Sequence, residues 1–419
     1  MATAAPSFKT EFVDDKGWRI VMASGLGVGL GLSALPFYTI GVFATSLEAE
    51  FGWTRAQVML STFFMMLANL LAGWAVGLMV DRLGVRRVAL IGQIGLAIGM
   101  CLLGLVSGSL WTQYLAWFCM AFFALGTLPV TWTRGIATWF DKGRGLAMGL
   151  ALMGTGLAGF VLTKFTPDLI ETLGWRQAYF ALGLLVPVIA MPLVIAWFKE
   201  KPTASGVRPS KEELPGYSVR DVLKNYRFWL MLVAFACVSF GVGGLLPNLV
   251  PLLESKDLSK ADAASYAALI GIAVIGGRVI AGWMLDRIWA PIVALIFLSV
   301  PAAACFFLTG DVSSGTLIGT SAVLIGLSAG AEFDLIAYMC TRYYGLKNYG
   351  LIYALQYMSF GLFSGLAPAV FGNVYDKNGT YDPVLGITAA LFIIGPLLLL
   401  GLGRYPVLPK AEIQPGNGS

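Results

Sequence analysis

The chain alternates long apolar runs with short polar breaks. A hydrocarbon core about 30 Å thick is crossed by a helix of about 20 apolar residues, and residues 88–108 and 385–403 are apolar on every face. Barrel strands would instead alternate apolar and polar residues over segments of about ten. The pattern predicts an all-α integral membrane protein with twelve transmembrane helices, at residues 19–44, 54–80, 87–108, 111–138, 145–167, 175–198, 227–252, 262–285, 290–309, 315–340, 349–373 and 384–403.

The twelve runs form two sets of six, separated by the longest polar segment, residues 199–226. That segment contains several Lys, Arg and Pro residues, which is typical of a linker between two bundles. We therefore predict five parts of the chain: a cytoplasmic tail at 1–17, a six-helix bundle at 18–198, a cytoplasmic linker at 199–226, a second six-helix bundle at 227–404 and a cytoplasmic tail at 405–419.

A sequence repeat relates the two sets of helices. The motif GLMVDR at 77–82 is echoed by GWMLDR at 282–287, which places Asp81 and Asp286 at an offset of 205 (286 − 81). The same offset takes Gly145-Leu146, at the start of the fifth run, to Gly350-Leu351. Two matches at one offset indicate a shared, pseudo-symmetric architecture. Secondary transporters are commonly built from such repeats, with the substrate bound between them.

The distribution of Lys and Arg predicts the orientation in the membrane. Cytoplasmic loops carry an excess of these residues, so the asymmetry predicts an even number of spans with both termini in the cytoplasm. We expect the membrane to be a bacterial inner membrane. The first apolar run, which follows residues 1–17, lacks a small-residue cleavage pattern, which indicates that these residues are a tail and not a signal peptide. The predicted cytoplasmic side carries Arg82, Arg86, Arg87, Lys142, Arg144, Arg227, Arg287, Arg342, Lys347 and Arg404, and the other side only Arg55, Lys164, Arg176, Lys256, Lys260 and Lys377.

Composition agrees with a membrane protein. Of the 419 residues, 58% are hydrophobic and 12% charged, against roughly 45–50% and 25% in soluble domains. The net charge of +5 is first a topology signal in such a chain, so nucleic acid is not implied. The five cysteines lie in apolar runs without disulfide or metal-ligand spacing. We expect a monomer in a lipid bilayer, with no metal and no cofactor.

Several motifs resemble one family of transporters. The segment GWAVGLMVDRLGVRR at 73–87 resembles the signature between the second and third spans of the major facilitator superfamily. Three further segments resemble its monocarboxylate porter and oxalate–formate antiporter branch: DKGW at 15–18, WFDKGRGLAMG at 139–149, and AEFDLIAY followed by RYYG at 331–345. The resemblance implies two six-helix bundles and transport of a small organic acid by alternating access.

The chain departs from this branch at two positions. Animal monocarboxylate carriers have a lysine beside a proline in the first span, where this chain has Phe37 after Pro36. They also have an acid one turn before the arginine of the eighth span, where this chain has Val274. A mechanism that depends on those two groups cannot be carried over.

Arg278 is the strongest candidate for contact with the substrate. It lies well inside the eighth span, where a charge is costly unless it faces a cavity or a partner. Its planar guanidinium can bind a carboxylate through two parallel hydrogen bonds. The family resemblance implies the same role, and the alternative is a permanent salt bridge to Glu332 or Asp334.

Glu332 and Asp334 in the tenth span are the candidate proton carriers. Two residues apart, they lie about 200° apart around a helix and cannot both face one cavity. Burial in a low-dielectric site favours the protonated form of a carboxyl group, and the chain has no histidine, the usual side chain for proton transfer near neutral pH. We expect one acid to face the pathway and the other to pack against a neighbouring helix.

Charged residues of the repeated motifs are candidate gates. We expect Asp81 to pair with Arg134 and Asp286 to pair with Arg342, closing the cytoplasmic side when the transporter opens outward. Arg82 and Arg287 belong to the same motifs. The alternative is that these charges only fix the topology.

Polar and aromatic residues of the predicted cavity-facing spans are candidates for shaping selectivity, although such side chains also serve as packing or interface anchors. Asn248 has a further alternative, a bond to backbone freed by nearby prolines. The candidates are Tyr38, Asn69, Trp132, Asn248, Tyr338, Tyr353, Gln356 and Tyr357.

These features favour proton-coupled symport of a monocarboxylate, aliphatic like lactate and pyruvate or aromatic. The first alternative is anion exchange of the oxalate–formate type, which tends to place a second basic residue in the cavity. A membrane-embedded enzyme is disfavoured because no HExxH, GxSxG or metal cluster occurs in the sequence. A non-transporting membrane sensor is the alternative of another class, and it would normally add a soluble signalling domain.

Overall fold

The computed structural model describes residues 15–201, 214–310 and 314–409. The predicted tail residues 1–14 and 410–419 and the linker residues 202–213 lie outside the described residues. Within the described ranges the chain is almost entirely helical, as the apolar runs predict.

Eleven helical segments of the described chain are long and apolar enough to cross a membrane. Two are locally distorted, span 4 by a 3₁₀ turn at Leu125–Thr127 and span 6 by a π-helical turn at Val186–Ala190. The segments are span 2 (Arg55–Met59 and Ser61–Leu83), span 3 (Val85–Gly104), span 4 (Leu110–Ala124 and Pro129–Trp139), span 5 (Arg144–Leu173), span 6 (Trp175–Leu185 and Met191–Trp197), span 7 (Tyr226–Glu254), span 8 (Lys260–Leu285), span 9 (Ala290–Phe307), span 10 (Gly315–Tyr344), span 11 (Tyr349–Asn378) and span 12 (Asp382–Leu400).

The first predicted span is broken into two helices, Asp15–Gly29 and Leu35–Phe51. At the break, the backbone N–H of Leu32 donates to Thr127 Oγ1 of span 4 over 2.9 Å, so the interruption of span 1 meets the 3₁₀ turn of span 4. Pro36 lies in the first turn of the second helix, where its missing N–H leaves no intrahelical hydrogen bond unmade. Together with the eleven segments above, this broken span gives the twelve that the sequence predicts.

Several helices extend beyond the predicted runs. Span 5 continues to Leu173 and span 11 to Asn378, past their apolar runs. A short helix, Val219–Lys224, lies in the predicted linker, and its first turn is capped by Ser218, whose hydroxyl accepts from the N–H of Asp221. Capping of this kind satisfies backbone donors that a helix start leaves free.

The two sets of six helices pack in corresponding ways. In the first set, span 1 packs on span 5, and span 3 on spans 4 and 6; in the second, span 7 packs on span 11, and span 9 on spans 10 and 12. The sets meet where span 5 contacts span 8 and span 2 contacts span 11. Large apolar side chains on the outer faces, such as Ile98, Leu184 and Phe306, are exposed, as expected for helices that face lipid.

The two sets touch backbone to backbone at one end of the spans. We call this end the basic side; it carries Arg82 and Arg287 and is the end that the sequence predicts to be cytoplasmic. A β-carbon at Gly77 would stand 2.3 Å from the carbonyl oxygen of Gly350, and one at Gly145 would stand 2.5 Å from that of Gly282. Only glycine permits such an approach, so the conformation is closed on the basic side.

Candidate functional site

Arg278 lies where the two helix sets meet. Its side chain is 4% exposed; Nη1 donates to Asp334 Oδ1 of span 10 and Nη2 to Thr155 Oγ1 of span 5, each over 3.4 Å. The guanidinium carbon also stands 5.8 Å from the ring centre of Phe333. The arginine therefore bridges spans of both halves.

The Arg278–Asp334 pair is incomplete. Its distance of 3.4 Å exceeds the roughly 2.7–2.9 Å of a good charge-assisted hydrogen bond. Among the described residues, Arg278 Nε and Asp334 Oδ2 are buried without a hydrogen-bond partner. A buried polar atom without a partner costs about 1–3 kcal/mol. The pair therefore keeps free hydrogen-bonding capacity that a ligand carboxylate or a proton can use.

Glu332 has no hydrogen bond or ion pair with Arg278 among the described residues. It is 1% exposed, and no ion pair of its carboxylate is found within the described residues. Its Oε1 is likewise buried without a partner. As the helical spacing predicts, only one of the two acids of span 10 faces Arg278, and that acid is Asp334.

Aromatic rings form a wall beside Arg278. Tyr353 and Tyr357 of span 11 stack at 6.1 Å, and Phe333 lies 5.7 Å from Tyr357 and 4.6 Å from Phe360. The ring of Tyr38 of span 1 packs against span 5, where a β-carbon at Gly159 would stand 3.0 Å from it. Sequence reasoning selected Tyr38, Tyr353 and Tyr357 but missed Phe333, although it lies between the two acids in the segment AEFDLIAY.

Tyr338 does not lie at this site. Its hydroxyl accepts a hydrogen bond from Arg342 Nε over 3.1 Å at the basic side, and its ring lies under the same guanidinium. The expectation that it contacts substrate is therefore wrong for this conformation. It is one helical turn from Arg342, and that proximity decides its contacts.

Two of the three candidate amides also differ from expectation. Gln356 is fully buried and donates to the carbonyl of Phe228 in span 7, so it packs between helices. Asn248 donates to the backbone carbonyl of Gly244 in its own helix over 2.8 Å, so it bonds to backbone, as the alternative to a ligand role expects. Asn69 is half-buried, and its Oδ1 has no partner among the described residues. Trp132 is buried and donates to the carbonyl of Thr127.

Asp81 forms the expected pair with Arg134. The distance from Arg134 Nη1 to Asp81 Oδ1 is 2.5 Å, and both side chains are 1% exposed. The carboxylate also accepts the backbone N–H groups of Gly350 and Leu351, at 3.2 and 3.3 Å, at the start of span 11. Because these donors belong to the other half, the group joins the two halves; we call it the Asp81 cluster.

Arg134 adds two further contacts to the Asp81 cluster. Its Nε donates to Glu200 Oε1 over 3.3 Å, and its Nη1 donates to the carbonyl of Leu346 over 3.1 Å. Leu346 precedes span 11, so this arginine also contacts both halves.

Asp286 makes the equivalent backbone contacts but lacks the expected arginine. Its two carboxylate oxygens accept the N–H groups of Gly145 and Leu146 at 2.7 and 2.9 Å. Arg342 instead pairs with Asp141 at 3.5 Å, so the predicted Asp286–Arg342 pair is wrong. The reason is geometric: Arg134 is 53 residues after Asp81, whereas Arg342 is 56 residues after Asp286 (342 − 286), almost one helical turn further along.

Burial raises the pKa of Asp286 to about 6, although the N–H groups of Leu146 and Gly145 and the nearby Arg342 and Arg287 lower it. Arg287 is exposed and stacks on Trp283, with its guanidinium carbon 4.2 Å from the ring centre. Arg82 is likewise exposed at the end of span 2. These two arginines of the repeated motif therefore lie at the surface of the basic side.

Comparisons with known proteins agree on the family. The family model of the Major Facilitator Superfamily matches residues 26–368. Human monocarboxylate transporter 11 is 25% identical over 422 aligned positions, which cover 95% of this chain and 84% of that protein. Rat monocarboxylate transporter 13 is 25% identical over 94% of this chain and 89% of its own length.

Solved structures show the same fold. The proton:xylose symporter XylE has a TM-score of 0.74 at 11% identity, covering 92% of this chain and 95% of that one. The human organic anion transporter MFSD10 has a TM-score of 0.71 at 18% identity, covering 91% and 99%. At these identities the similarity concerns the fold alone.

Proposed function

The chain belongs to the major facilitator superfamily, and we propose that this transporter carries a small monocarboxylate across the membrane by alternating access, together with a proton. The family and its relatives make the chain a transporter and not an enzyme. The observation that carries the proposal is the incomplete Arg278–Asp334 pair at the contact between the halves.

Arg278 supplies the anion specificity. Its guanidinium can bind a substrate carboxylate through two parallel hydrogen bonds, whereas it has a single 3.4 Å contact to Asp334. The names of the relatives support a monocarboxylate as the substrate. Since Phe37 stands where animal carriers have a lysine, the anion depends on Arg278 without help from a cation at that position.

Asp334 supplies the proton site. Animal monocarboxylate carriers have an acid one turn before the span 8 arginine, and this chain has Val274 there. Asp334 reaches Arg278 from span 10 instead. When Asp334 is protonated, Arg278 loses its counter-ion and its positive charge becomes available to the substrate. Proton and anion then bind together, and the pair re-forms after both have left.

Closure of the basic side provides the gate. The Asp81 cluster and the contacts of Asp286 both join a motif of one half to the start of a span in the other. Opening toward that side must break them, so they favour the state open to the opposite side. The distribution of Lys and Arg supports a basic side, and termini, in the cytoplasm. We further propose a monomeric transporter in an inner membrane.

A heat-stability screen of the purified protein tests the substrate class. A ligand that binds the folded state stabilises it by RT ln(1 + [L]/Kd), so lactate, pyruvate or benzoate should raise the unfolding temperature, while xylose or a cationic drug should not. Benzoate would report on the aromatic wall and lactate on a smaller aliphatic site.

Two variants make the screen specific. Arg278→Gln should remove the stabilisation by carboxylates, and Lys164→Gln, which removes an exposed cation of span 5, should keep it. If only sugars or cationic drugs stabilise the protein, the carboxylate proposal is wrong. Counter-flow without any response to pH would favour the anion-exchange alternative.

A further inference from the structure

A cavity of about 720 Å³ opens at the basic side within the second half, away from Arg278. It is formed by the end of span 8, the loop to span 9, the last turns of span 10 and the segment after span 12. Its charged lining residues are Asp286, Arg287, Arg342 and Arg404, joined by the aromatic residues Trp289, Tyr338 and Tyr405. A volume between about 300 and 1,000 Å³ is typical of small-molecule sites.

The lining carries more positive than negative charge. Three arginines face one acid, and both oxygens of that acid, Asp286, already accept backbone N–H groups of span 5. Arg342 has its ion-pair partner, Asp141, in the other half, and that aspartate side chain is 67% exposed. No hydrogen bond or ion pair of Arg404 is found in the described part of the chain. The cavity therefore carries an excess of positive charge over its single aspartate.

The first half has a carboxylate, that of Glu200, at the place that corresponds to this cavity. Trp139, at the end of span 4, donates to the carbonyl of Lys199 in the segment after span 6. Tyr343, near the end of span 10, donates to the carbonyl of Gly403 in the segment after span 12. The two hydrogen bonds correspond to each other, because their donors and their acceptors are both separated by 204 residues (343 − 139 and 403 − 199).

The same offset relates Glu200 to Arg404. Glu200 turns inward, with a side chain 8% exposed, and gives Arg134 a second carboxylate at 3.3 Å. At the corresponding place the second half has the exposed arginine Arg404. The charge is thus reversed where the first half supplies its anion.

A further cation, Arg227, lies close to the segment after span 12. Arg227, at the start of span 7, has its Nη2 3.8 Å from the place where a β-carbon of Gly403 would stand. Arg227 Nε is buried without a hydrogen-bond partner among the described residues. The Tyr405 hydroxyl accepts the N–H of Ala290 over 2.9 Å, which leaves its own hydrogen for an acceptor.

We propose that this cavity binds a phosphate group from the basic side, at the place where the first half inserts Glu200. Guanidinium groups bind phosphate oxygens in bidentate fashion, and basic pockets between membrane helices are suited to phospholipid headgroups. The phosphate belongs either to a lipid headgroup or to a free anion. It holds Arg342 and Arg404 together beside Asp286, and so stabilises the conformation closed on the basic side.

The test uses the purified full chain in micelles of a detergent without a phosphate group. Inorganic phosphate is titrated against chloride at constant ionic strength while the unfolding temperature is followed. We expect a saturable rise in wild type. Arg404→Glu places a carboxylate at the position that corresponds to Glu200. It should raise the half-saturating phosphate concentration by about tenfold or more, because a charged hydrogen bond is lost and a repulsion is added.

Two controls separate this cavity from other phosphate sites. Lys199→Glu makes a similar charge change on the exposed segment of the first half and should keep the wild-type response. Arg278→Gln removes the central arginine and should also keep it, so loss of carboxylate transport leaves this test valid. Nanodiscs that contain phosphatidylglycerol identify the source: a lipid headgroup stabilises wild type over Arg404→Glu and blunts the response to free phosphate.

The proposal is overturned if neither phosphate nor phosphatidylglycerol stabilises wild type. It is also overturned if Arg404→Glu and Lys199→Glu respond alike to both probes.

Discussion

The molecule contains two buried arginine–aspartate pairs that differ in how completely they are made. Arg134 and Asp81 are 2.5 Å apart, and the carboxylate receives two further backbone N–H groups from the other half. Arg278 and Asp334 are 3.4 Å apart, and each leaves a buried polar atom without a partner among the described residues. Both pairs are buried, so burial alone does not distinguish a pair that holds the structure together from one that can release its partner to a ligand.

The difference lies in what each pair must do. A pair that holds a closed conformation is best fully satisfied, since removing either partner leaves an uncompensated buried charge. A pair that exchanges its counter-ion for a substrate cannot be so stable, because the substrate must compete with it. We infer that the Asp81 cluster closes the basic side and that the Arg278–Asp334 pair stays available for ligand and proton.

Asp81→Asn should produce the largest effect. Among the described residues it leaves the buried Arg134 with Glu200 as its one carboxylate partner, and breaking a buried pair costs about 3–5 kcal/mol. We expect a lower unfolding temperature and faster alkylation of a cysteine introduced at Leu351, in a background without the native cysteines. Asp286→Asn, which breaks no ion pair, is the control and should change both readouts less; equal losses would contradict the comparison.

Arg278→Gln should remove transport with little loss of folding stability. A hydrogen bond to a charged group contributes about 1.5–3 kcal/mol, so carboxylate affinity should fall by about 10- to 100-fold. The unfolding temperature without ligand should change less than in Asp81→Asn, because the Arg278–Asp334 contact is long. A loss of stability equal to that of Asp81→Asn would mean that the central pair is structural.

Glu200→Gln should have a smaller effect on the Asp81 cluster. Arg134 loses its longer contact of 3.3 Å but keeps Asp81 at 2.5 Å. We expect a destabilisation of about 1 kcal/mol, the usual size of one hydrogen bond, measured as a shift in unfolding temperature. Lys199→Gln on the same segment should have no effect, and a shift as large as that of Asp81→Asn would make Glu200 the main partner.

The pH dependence of closure should be the smallest effect. The pKa of Asp286 is about 6 in the closed state and about 3.9 when the side chain is exposed to water. The closed state thus binds the proton more tightly and gains stability as pH falls through 6. Between pH 7.5 and 6 the closed-to-open ratio should rise about twofold. The cysteine at Leu351 reports it, and Asp286→Asn should remove that change.

Sequence reasoning reached the architecture and Arg278 because both rest on strong local signals. Apolar length gives the spans, the repeated GLMVDR-type motif gives the two halves, and a lone arginine inside a span has few explanations. Helical spacing also separates Asp334 from Glu332, although it does not say which acid faces Arg278.

Other features depend on contacts between distant segments. Span 1 breaks where Leu32 meets Thr127, 95 residues away, and no local pattern shows that contact. Tyr338 and Gln356 have the polar character of ligands, but their neighbours Arg342 and Phe228 decide their roles. The repeat suggested an arginine for each aspartate, and a displacement of about one turn along span 10 left Asp286 without one.

The most direct test of the account is accumulation of a labelled carboxylate by proteoliposomes, with and without an inward proton gradient. The probe is lactate or benzoate, whichever stabilises the protein more. For Asp334→Asn we predict loss of gradient-driven accumulation with exchange of labelled for unlabelled substrate retained, while Glu332→Gln keeps both. Gradient-driven accumulation by Asp334→Asn at the wild-type level would contradict the account.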